Sequence, residues 1–357
     1  MALGYKKVFS TEDVLFRFQS ALCDWFDESG KDYPWRQTSD PYAILVSELM
    51  LQQTQIATVL GRGYYVRWMA QFGDWEALAQ AKEENILKAW EGLGYYNRAR
   101  NLQKTAIRIC DDYGGVCPRD TDSLERLPGV GRYTAGAVAS FAFEVQAPIV
   151  DGNVARVLSR LFDFREPVDT AFGQNFLWDS AARMTPGERV RSYNSAIMEL
   201  GQQVCTKGLP GCGECPVAIW CRGKGNQGLE ALPLKKAKVA ITKKSESVVI
   251  LAQEGKVFLE KEAGRRRNGL WKLPEIPPTE TEDLEEIMSF DYAITRFKVT
   301  LKVFELPSAI RGKFVADREG KWYNFNDEAS LPPLGSPYRK AIQRYQNIRE
   351  DLQWGRT

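Results

Sequence analysis

Two carboxylates stand in contrasting sequence surroundings. Glu48 lies within Ile-Leu-Val-Ser-Glu-Leu-Met-Leu, so apolar residues flank it on both sides. Burial among them would disfavour the charged form and raise the pKa of Glu48, as a general acid requires. Asp151 ends an apolar run and precedes a helical pattern, where a helix N terminus should keep it ionised. An acid beside an anion suits glycosidic-bond cleavage, in which the leaving group is protonated and the sugar becomes positively charged.

Both carboxylates also have a simpler interpretation. Glu48 could be a partly exposed helix residue, and Asp151 could be a structural helix cap. The chain contains no histidine, which is the usual general base near neutral pH. Proton transfer must therefore fall to carboxylates, tyrosines, lysines or thiols.

A glycine-rich turn precedes Asp151 by about twenty residues. In Leu-Pro-Gly-Val-Gly-Arg-Tyr, Gly129 and Gly131 allow a turn that is too tight for side chains, and a helix of small residues follows at 133–143. Backbone N–H groups at such a turn point outward at a helix N terminus, where they can bind a phosphate. A helical hairpin with no ligand is the alternative.

Four of the seven cysteines follow the pattern C-x6-C-x2-C-x5-C, at Cys205, Cys212, Cys215 and Cys221. Four thiolates can hold a [4Fe–4S] cluster or a tetrahedral zinc ion. Zinc ribbons usually have two Cys-x-x-Cys knuckles, and this run has one. Unligated thiols are the third possibility.

Composition sets broad limits on the protein. A length of 357 residues predicts about two domains. The net charge is only +2, so a nucleic-acid surface would have to come from local clusters of lysine and arginine. No apolar run approaches the length of a membrane span, and residues 1–7 lack a signal-peptide core. We expect a cytoplasmic, nucleoid-associated protein with no membrane contact.

The elements that position these residues are mainly helical. Helical patterns follow one another to about residue 204, and Asp40-Pro41 opens one that should cover residues 44–59. Residues 1–225 are therefore predicted to form an all-α domain that includes the cysteine loop at 205–221. Residues 226–245, rich in glycine and lysine, are predicted to be a linker.

The rest of the chain changes to a period of two. Strand patterns occur at 248–252, 256–260 and 298–304, a hairpin is predicted at 319–320, and a helix at 337–352. Residues 246–357 should form a smaller α+β domain. The predicted fold is thus multidomain.

Residues 10–225 resemble the helix-hairpin-helix DNA glycosylases, and among them the MutY family of adenine glycosylases, through Ser-Glu-Leu-Met-Leu-Gln-Gln-Thr and Leu-Pro-Gly-Val-Gly…Val-Asp-Gly-Asn. The resemblance implies that Glu48 protonates adenine and that Asp151 stabilises the sugar intermediate, with Asn153 and Tyr133 in support. The similar endonuclease III family has a lysine at the position of Tyr133, which forms a Schiff base. Tyrosine cannot, so a monofunctional enzyme is implied.

The resemblance also assigns DNA-reading residues and a cofactor. A base must be flipped out of the duplex before these groups can reach it. Gln53 matches an intercalating glutamine, Tyr95 an aromatic wedge, and Trp35 and Arg36 the adenine pocket. Ser195 departs from the family, which usually has Glu or Gln there. The implied substrate is duplex DNA with adenine opposite 8-oxoguanine or guanine, the implied state is a monomer, and the four cysteines are implied to hold one [4Fe–4S] cluster.

The C-terminal part resembles the Nudix-like domain with which this family inspects the opposite base. The Glu-rich helix of a Nudix hydrolase is missing from 282–286, so pyrophosphate hydrolysis is not expected. The family's Phe-Ser-His trio is replaced by Ile294, Thr295 and Arg296. Arginine can donate to O6 and N7 of a purine. The hypothesis is that opposite-base discrimination is weaker or differently tuned; the alternative is that Arg296 only contacts phosphate.

Three rival functions remain open at this stage. One is a non-catalytic iron–sulfur protein that binds mispairs, and another is a bifunctional glycosylase/lyase of the endonuclease III type. The third is a nucleotide hydrolase in the C-terminal part.

Overall fold

The computed structural model describes residues 8–236, 241–262, 268–294 and 296–354. Thr295, one of the predicted opposite-base readers, lies outside the described residues. None of the described helices is long and apolar enough to cross a lipid bilayer.

The N-terminal two-thirds is helical, as the patterns predict. Its helices are α1 (Glu12–Ser29), α2 (Pro41–Leu51), α3 (Ile56–Gly61), α4 (Tyr64–Gln71), α5 (Trp75–Gln80), α6 (Glu83–Ala89), α7 (Asn97–Tyr113), α8 (Thr121–Glu125), α9 (Arg132–Phe143), α10 (Gly152–Leu161), α11 (Ala171–Met184) and α12 (Val190–Gln203).

Helix α2 is buried on every side. The side chain of Asp40 caps it by accepting from the backbone N–H groups of Tyr42 and Ala43, and Pro41 occupies its first position. Every residue from Tyr42 to Met50 is buried, because the helix is apolar all round and carries no solvent face. A carboxylate on this helix must therefore be buried, whichever way it points.

The predicted helix over 44–59 is interrupted, which corrects that expectation. Helix α2 ends at Leu51, and α3 begins at Ile56. Between them Gln53 adopts a left-handed backbone with φ 58°, which no residue within an α-helix can have. Apolar periodicity continues across this break and therefore conceals it.

A core of buried side chains joins α1, α10, α11 and α12. It includes Phe18, Leu22, Leu158, Leu177 and Ile197. Helix α9 packs closely against the chain that leads into α10. A Cβ at Gly136 would be only 2.4 Å from the carbonyl oxygen of Pro148, so only glycine fits at this contact. The missing side chain at Gly136 thus sets the position from which Asp151 begins α10.

The chain divides into two compact units. One contains residues 1–61, 69–80 and 101–238, and the other contains 62–68, 81–100 and 239–357. The second unit therefore includes two segments of the helical region as well as the C-terminal part. The limits 1–225, 226–245 and 246–357 stay a prediction.

In the C-terminal part, the described residues form two sheets and two α-helices. Its elements are β1 (Thr242–Ile250), β2 (Ala252–Gln253), β3 (Lys256–Lys261), β4 (Trp271–Lys272), β5 (Glu285–Ile294), β6 (Phe297–Glu305), α13 (Ser308–Ala316), β7 (Gly320–Asn324) and α14 (Ser336–Trp354).

Pairing in these sheets is mixed. In the first sheet β6 lies between β1, to which it is parallel, and β5, to which it is antiparallel. In the second, β3 pairs with β2, β4 and β7, all antiparallel. Strand β1 begins at Thr242, within the predicted linker. The hairpin predicted at 319–320 is wrong, because α13 precedes β7 and β7 pairs with β3. The predicted C-terminal helix is confirmed as α14.

Candidate active site

The buried Glu48 and the half-buried Tyr133 form a pair between α2 and α9. The Tyr133 hydroxyl donates to Oε2 of Glu48 at 2.8 Å, and Glu48 is only 6% exposed. Burial is the main cause that raises the pKa of Glu48 to about 7, with Asp151 adding to the rise and Tyr133 and Arg36 opposing it. The predicted direction is confirmed: near neutral pH Glu48 can hold a proton.

Asp151 caps α10 as the sequence predicts. Its Oδ1 accepts from the backbone N–H of Val154 at 2.7 Å, and its Oδ2 accepts from Nδ2 of Asn153 at 2.9 Å. Arg156 in turn donates to Oδ1 of Asn153 at 2.9 Å. Asn153 therefore links Asp151 to a guanidinium.

The ionisation of Asp151 departs from expectation. Burial raises its pKa above the ordinary value, although Val154, Asn153 and Arg156 act in the opposite direction. The helix N terminus and its donors were expected to control the charge; here the loss of water outweighs them. Two carboxylates with raised pKa values thus lie close enough to influence each other.

One cleft contains Glu48 and three other predicted residues, Trp35, Arg36 and Ser195. It encloses about 490 Å³ of space when the open solvent at its mouth is included. The full lining is Tyr33, Trp35, Arg36, Ile44, Ser47, Glu48, Leu51, Ile56, Phe141, Arg191, Ser195, Met198 and Gln202. The structure therefore brings the predicted acid and the predicted pocket residues together.

Arg36 is fixed in this cleft by a partner that the sequence analysis missed. Its guanidinium pairs with Oε2 of Glu199 at 2.6 Å and lies over the ring of Tyr33 at 4.8 Å. Glu199 is fully buried, and Gln203 donates to its other oxygen. Glu199 lies on the face of α12 that is turned to the core, and this position is the feature of the sequence from which it could have been identified.

The glycine turn has the geometry of an anion-binding helix start. Gly129 has φ 76°, and a Cβ there would be 2.6 Å from the Cβ of Asn101. Gly131 is the N-cap of α9, and no described side chain caps that end. The first N–H groups of α9 are thus available to a phosphate.

Gln53 and Tyr95 share an unusual backbone state. Both are exposed, Tyr95 by 51%, and both have left-handed φ angles, 58° and 49°. Such angles are uncommon for residues other than glycine, and they concentrate at ligand-contacting positions. The two residues belong to different compact units.

The four cysteines of the C-x6-C-x2-C-x5-C run line a single cavity, of about 330 Å³ with its mouth. The buried Arg160 donates to Sγ of Cys205 at 3.5 Å and to the carbonyl of Thr206 at 2.7 Å. Among the described residues, no group of three or more Cys, Asp or Glu converges as a site for one metal ion. Outside the cavity wall, Lys207 and Arg222 are exposed.

Of the three predicted reader positions in the C-terminal part, the structure describes Ile294 and Arg296. Ile294 ends β5, and Arg296 is exposed with its guanidinium 5.2 Å from the ring centroid of Phe297. Its backbone carbonyl accepts from the N–H of Thr242 at 3.0 Å. The side chain of Arg296 is thus presented on a loop whose backbone is tied to β1.

Comparison with known proteins agrees with this geometry. A family model described as HhH-GPD superfamily base excision DNA repair protein matches residues 46–172. The adenine DNA glycosylase of Rattus norvegicus is 43% identical over 228 residues, which are 60% of this chain and 44% of the relative. The match thus spans less than half the length of the mammalian relatives.

A bacterial relative matches more completely. The adenine DNA glycosylase of Buchnera aphidicola subsp. Baizongia pistaciae is 35% identical over 257 residues, which are 71% of each chain. The solved structure of a thermostable thymine-DNA glycosylase superimposes with a TM-score of 0.54 at 29% identity, covering 60% of this chain and 98% of that one. The matched region, 46–172, contains both carboxylates and the glycine turn. The chain belongs to the adenine DNA glycosylase family, within the HhH-GPD superfamily of base excision DNA repair proteins.

Proposed function

We propose that this protein is a monofunctional DNA glycosylase that removes adenine mispaired with 8-oxoguanine or guanine. The observation that carries the proposal is Glu48, a buried carboxyl with a pKa of about 7 at the wall of a cleft that is open to solvent. Action as a monomer stays a prediction from the resemblance, and a cytoplasmic, nucleoid-associated location stays a prediction from the sequence.

The mechanism begins with base flipping. Adenine leaves the stack and enters the cleft beside Trp35 and Arg36, and Gln53 fills the gap. A wedge role for Tyr95 stays a prediction from the resemblance. Binding of the flanking phosphates by the open N terminus of α9 holds the strand in register. The cost of unstacking is offset by these contacts.

Protonation and charge stabilisation then break the bond. Glu48 gives its proton to a ring nitrogen of adenine, the electron pair of the N-glycosidic bond moves onto the base, and adenine leaves neutral. The positive charge that develops on the sugar is offset by the carboxylate of Asp151. Water adds to the sugar and loses a proton, which restores the acid, and an abasic site remains.

Tyr133 supports the monofunctional assignment. Its hydroxyl holds Glu48, and burial together with the nearby carboxylates raises the pKa of Tyr133 well above its ordinary value, so it stays a donor. No lysine is among the described residues that line the cleft. Imine formation with the sugar, which a lyase requires, thus lacks an amine.

We infer that Cys205, Cys212, Cys215 and Cys221 hold one [4Fe–4S] cluster. Their thiols line one cavity, and the run has one Cys-x-x-Cys knuckle, whereas zinc ribbons usually have two. A bound cluster would serve as a structural cross-link. Lys207, Arg222 and Lys224, which are exposed, would then be available to phosphates.

We also propose that the C-terminal part is Nudix-like and inspects the opposite base. Arg296 supports this through its exposure and its anchored loop. A permanent cation with five donors in place of a histidine can donate to O6 and N7 of guanine as well as 8-oxoguanine. We therefore expect G:A mispairs to be processed relatively well.

Single-turnover excision on one duplex carrying adenine opposite 8-oxoguanine, guanine or cytosine tests the proposal, with alkali added to cut abasic sites. Excision from the first two and not from the third is expected, with no strand cleavage before alkali and no borohydride-trapped complex. Glu48→Gln is the inactive control. Binding of mispairs without base loss would instead identify a non-catalytic binding protein, and a trapped complex would identify a lyase.

Arg296→His tests the opposite-base hypothesis in the same assay. The expected result is a larger ratio of the 8-oxoguanine rate to the guanine rate, with an unchanged rate on the better substrate. Lys321→His, an exposed change on β7, is the control. If wild type already prefers 8-oxoguanine as strongly as an enzyme with the usual trio, the hypothesis fails.

A further inference from the structure

One face of α12 borders the cleft along its length. Arg191, Ser195, Met198 and Gln202 all line it, and their spacing of four, three and four residues places them on one side of a helix. Ser195 occupies the position where the family usually has Glu or Gln. Its hydroxyl is too short to replace the contact of a longer side chain with the base.

Gln202 and Gln203 are adjacent in sequence but have different surroundings. Gln203 donates to the buried carboxylate of Glu199, which holds Arg36. Gln202 is half-buried, lines the cleft, and makes no side-chain hydrogen bond among the described residues. A partly buried carboxamide with one acceptor and two N–H donors facing a cleft is suited to a polar ligand.

Gln202 shares the cleft wall with Glu48 and with Met198, which lies one turn before it on α12. Side chains on a helix lean toward its N terminus, which for Gln202 is the direction of Met198. The sulfur of Met198 is 4.0 Å from the hydroxyl of Tyr133, which donates to Glu48. The carboxamide and the proton donor thus approach the same ligand from neighbouring parts of the wall.

We propose that Gln202 is a specificity-determining residue that reads the flipped adenine in place of the residue that Ser195 replaces. Its carbonyl accepts from the exocyclic amino group, and its NH2 donates to an adjacent ring nitrogen, the bidentate pattern that a carboxamide forms with adenine. A guanine in this position presents a carbonyl oxygen where the amino group would be, which leaves the Gln202 carbonyl without a donor. This inference rests on the proposed adenine glycosylase function.

The test compares adenine with unsubstituted purine, which lacks the amino group, each opposite guanine in the same duplex. Gln202→Leu keeps the side chain's bulk and removes the carboxamide, and Gln202→Asn retracts the carboxamide by one methylene. Both variants should lower the single-turnover rate for adenine by roughly ten-fold to a hundred-fold and that for purine much less, so the adenine-to-purine ratio falls. Gln80→Leu, on the exposed side of α5, should leave the ratio unchanged.

Addition of Ser195→Gln to Gln202→Leu should restore part of the ratio, because a glutamine then reaches the base from the family's usual position. A purely structural role would slow both substrates equally, and such a result overturns the inference, as does an unchanged ratio in both single variants. Thermal melting verifies that each variant is folded. If wild type removes adenine but the adenine-to-purine rate ratio is the same in the Gln202 variants, only this inference fails. If wild type removes no adenine, the proposed function fails as well.

Discussion

At the scale of single residues, Glu48 connects burial with chemistry. The free protein should excise adenine with a second-order rate constant that falls about tenfold per pH unit above pH 7, because only protonated Glu48 can donate. Measured at enzyme concentrations well below the dissociation constant for DNA, this rate constant reports the pKa of Glu48 in the unbound protein. The rate of Glu48→Gln should be at least about a hundredfold lower than that of wild type, and it should not fall further above pH 7.

The fall in rate above pH 7 should persist in Glu125→Gln, which changes an exposed carboxylate on α8. A rate that instead rises through pH 7 would assign Glu48 to a base role and contradict the acid mechanism.

Glu48 should also reduce stability at alkaline pH. Its folded-state pKa of about 7 lies above the ordinary value of 4.5, so the stabilising contribution of the protonated form is present below about 4.5 and lost as pH rises through about 7. The loss corresponds to at most about 3 kcal/mol. Glu48→Gln, which can still accept from Tyr133, should therefore be more stable than wild type at pH 8.5, by denaturant unfolding.

This gain should shrink at pH 4.5 and be absent in Glu125→Gln. Equal stability of Glu48→Gln and wild type at both pH values would mean that the carboxyl of Glu48 is better solvated than its burial implies.

The sequence predicts the two carboxylates but not their whole surroundings. Apolar neighbours in the chain are enough to foresee the burial of Glu48. They cannot reveal that Asp151 is also desolvated, because that depends on packing between α9 and residues distant in sequence. Gln202 was missed for the same reason: which face of α12 borders the cleft is set by tertiary contacts.

At the scale of elements, Gly136 controls the approach of two segments. An interior helix glycine replaced by alanine normally gains about 1 kcal/mol from helix propensity. Here the new Cβ would be 2.4 Å from a backbone oxygen that cannot rotate away. Gly136→Ala should therefore destabilise the protein by about 1–3 kcal/mol in denaturant unfolding and slow excision by displacing Asp151.

Gly187→Ala is the matched control, since a Cβ at Gly187 meets nothing within 4 Å; its effect should stay within about 0.5 kcal/mol. A Gly136→Ala variant that is stabilised would show that α9 and the segment before Asp151 separate easily.

Elements were predicted well where the pattern is local. The helices and the alternating strand β6 follow from periodicity. The break at Gln53 and the helix α13 in place of a hairpin do not, because a single left-handed residue or a short helix changes periodicity very little. At Gln53 the break exposes a side chain that a continuous helix would have confined to one of its faces.

At the scale of the whole molecule, the cysteine cavity joins α10 and α12 to the loop that follows them. Cys215→Ser should abolish the visible absorption of the purified protein, lower its iron and sulfide content, and weaken DNA binding. Cys110→Ser, on α7 away from the cavity, should retain all three properties. Stoichiometric zinc with no iron in the wild-type protein would contradict the cluster.

Bulk properties say little about the substrate. A net charge of +2 does not identify a DNA-binding protein, because the contacts that we propose are a helix N terminus and a few exposed cations on one loop. The order of the motifs was enough to predict the helical glycosylase domain. It could not predict that residues 62–68 and 81–100 belong to the same compact unit as the C-terminal part, because that depends on contacts between segments far apart in the chain.

The acid Glu48, its partner Tyr133 and the second carboxylate Asp151 come from α2, α9 and the start of α10, whereas Ser195 and Gln202, which line the cleft, both come from α12. Mutations on that face can accumulate during evolution, or be sampled in a directed library, without moving the groups that break the bond. A lineage exposed to a different spectrum of base damage can thus inherit the bond-breaking machinery intact and change its preference through one helix. New base preferences should arise first on α12.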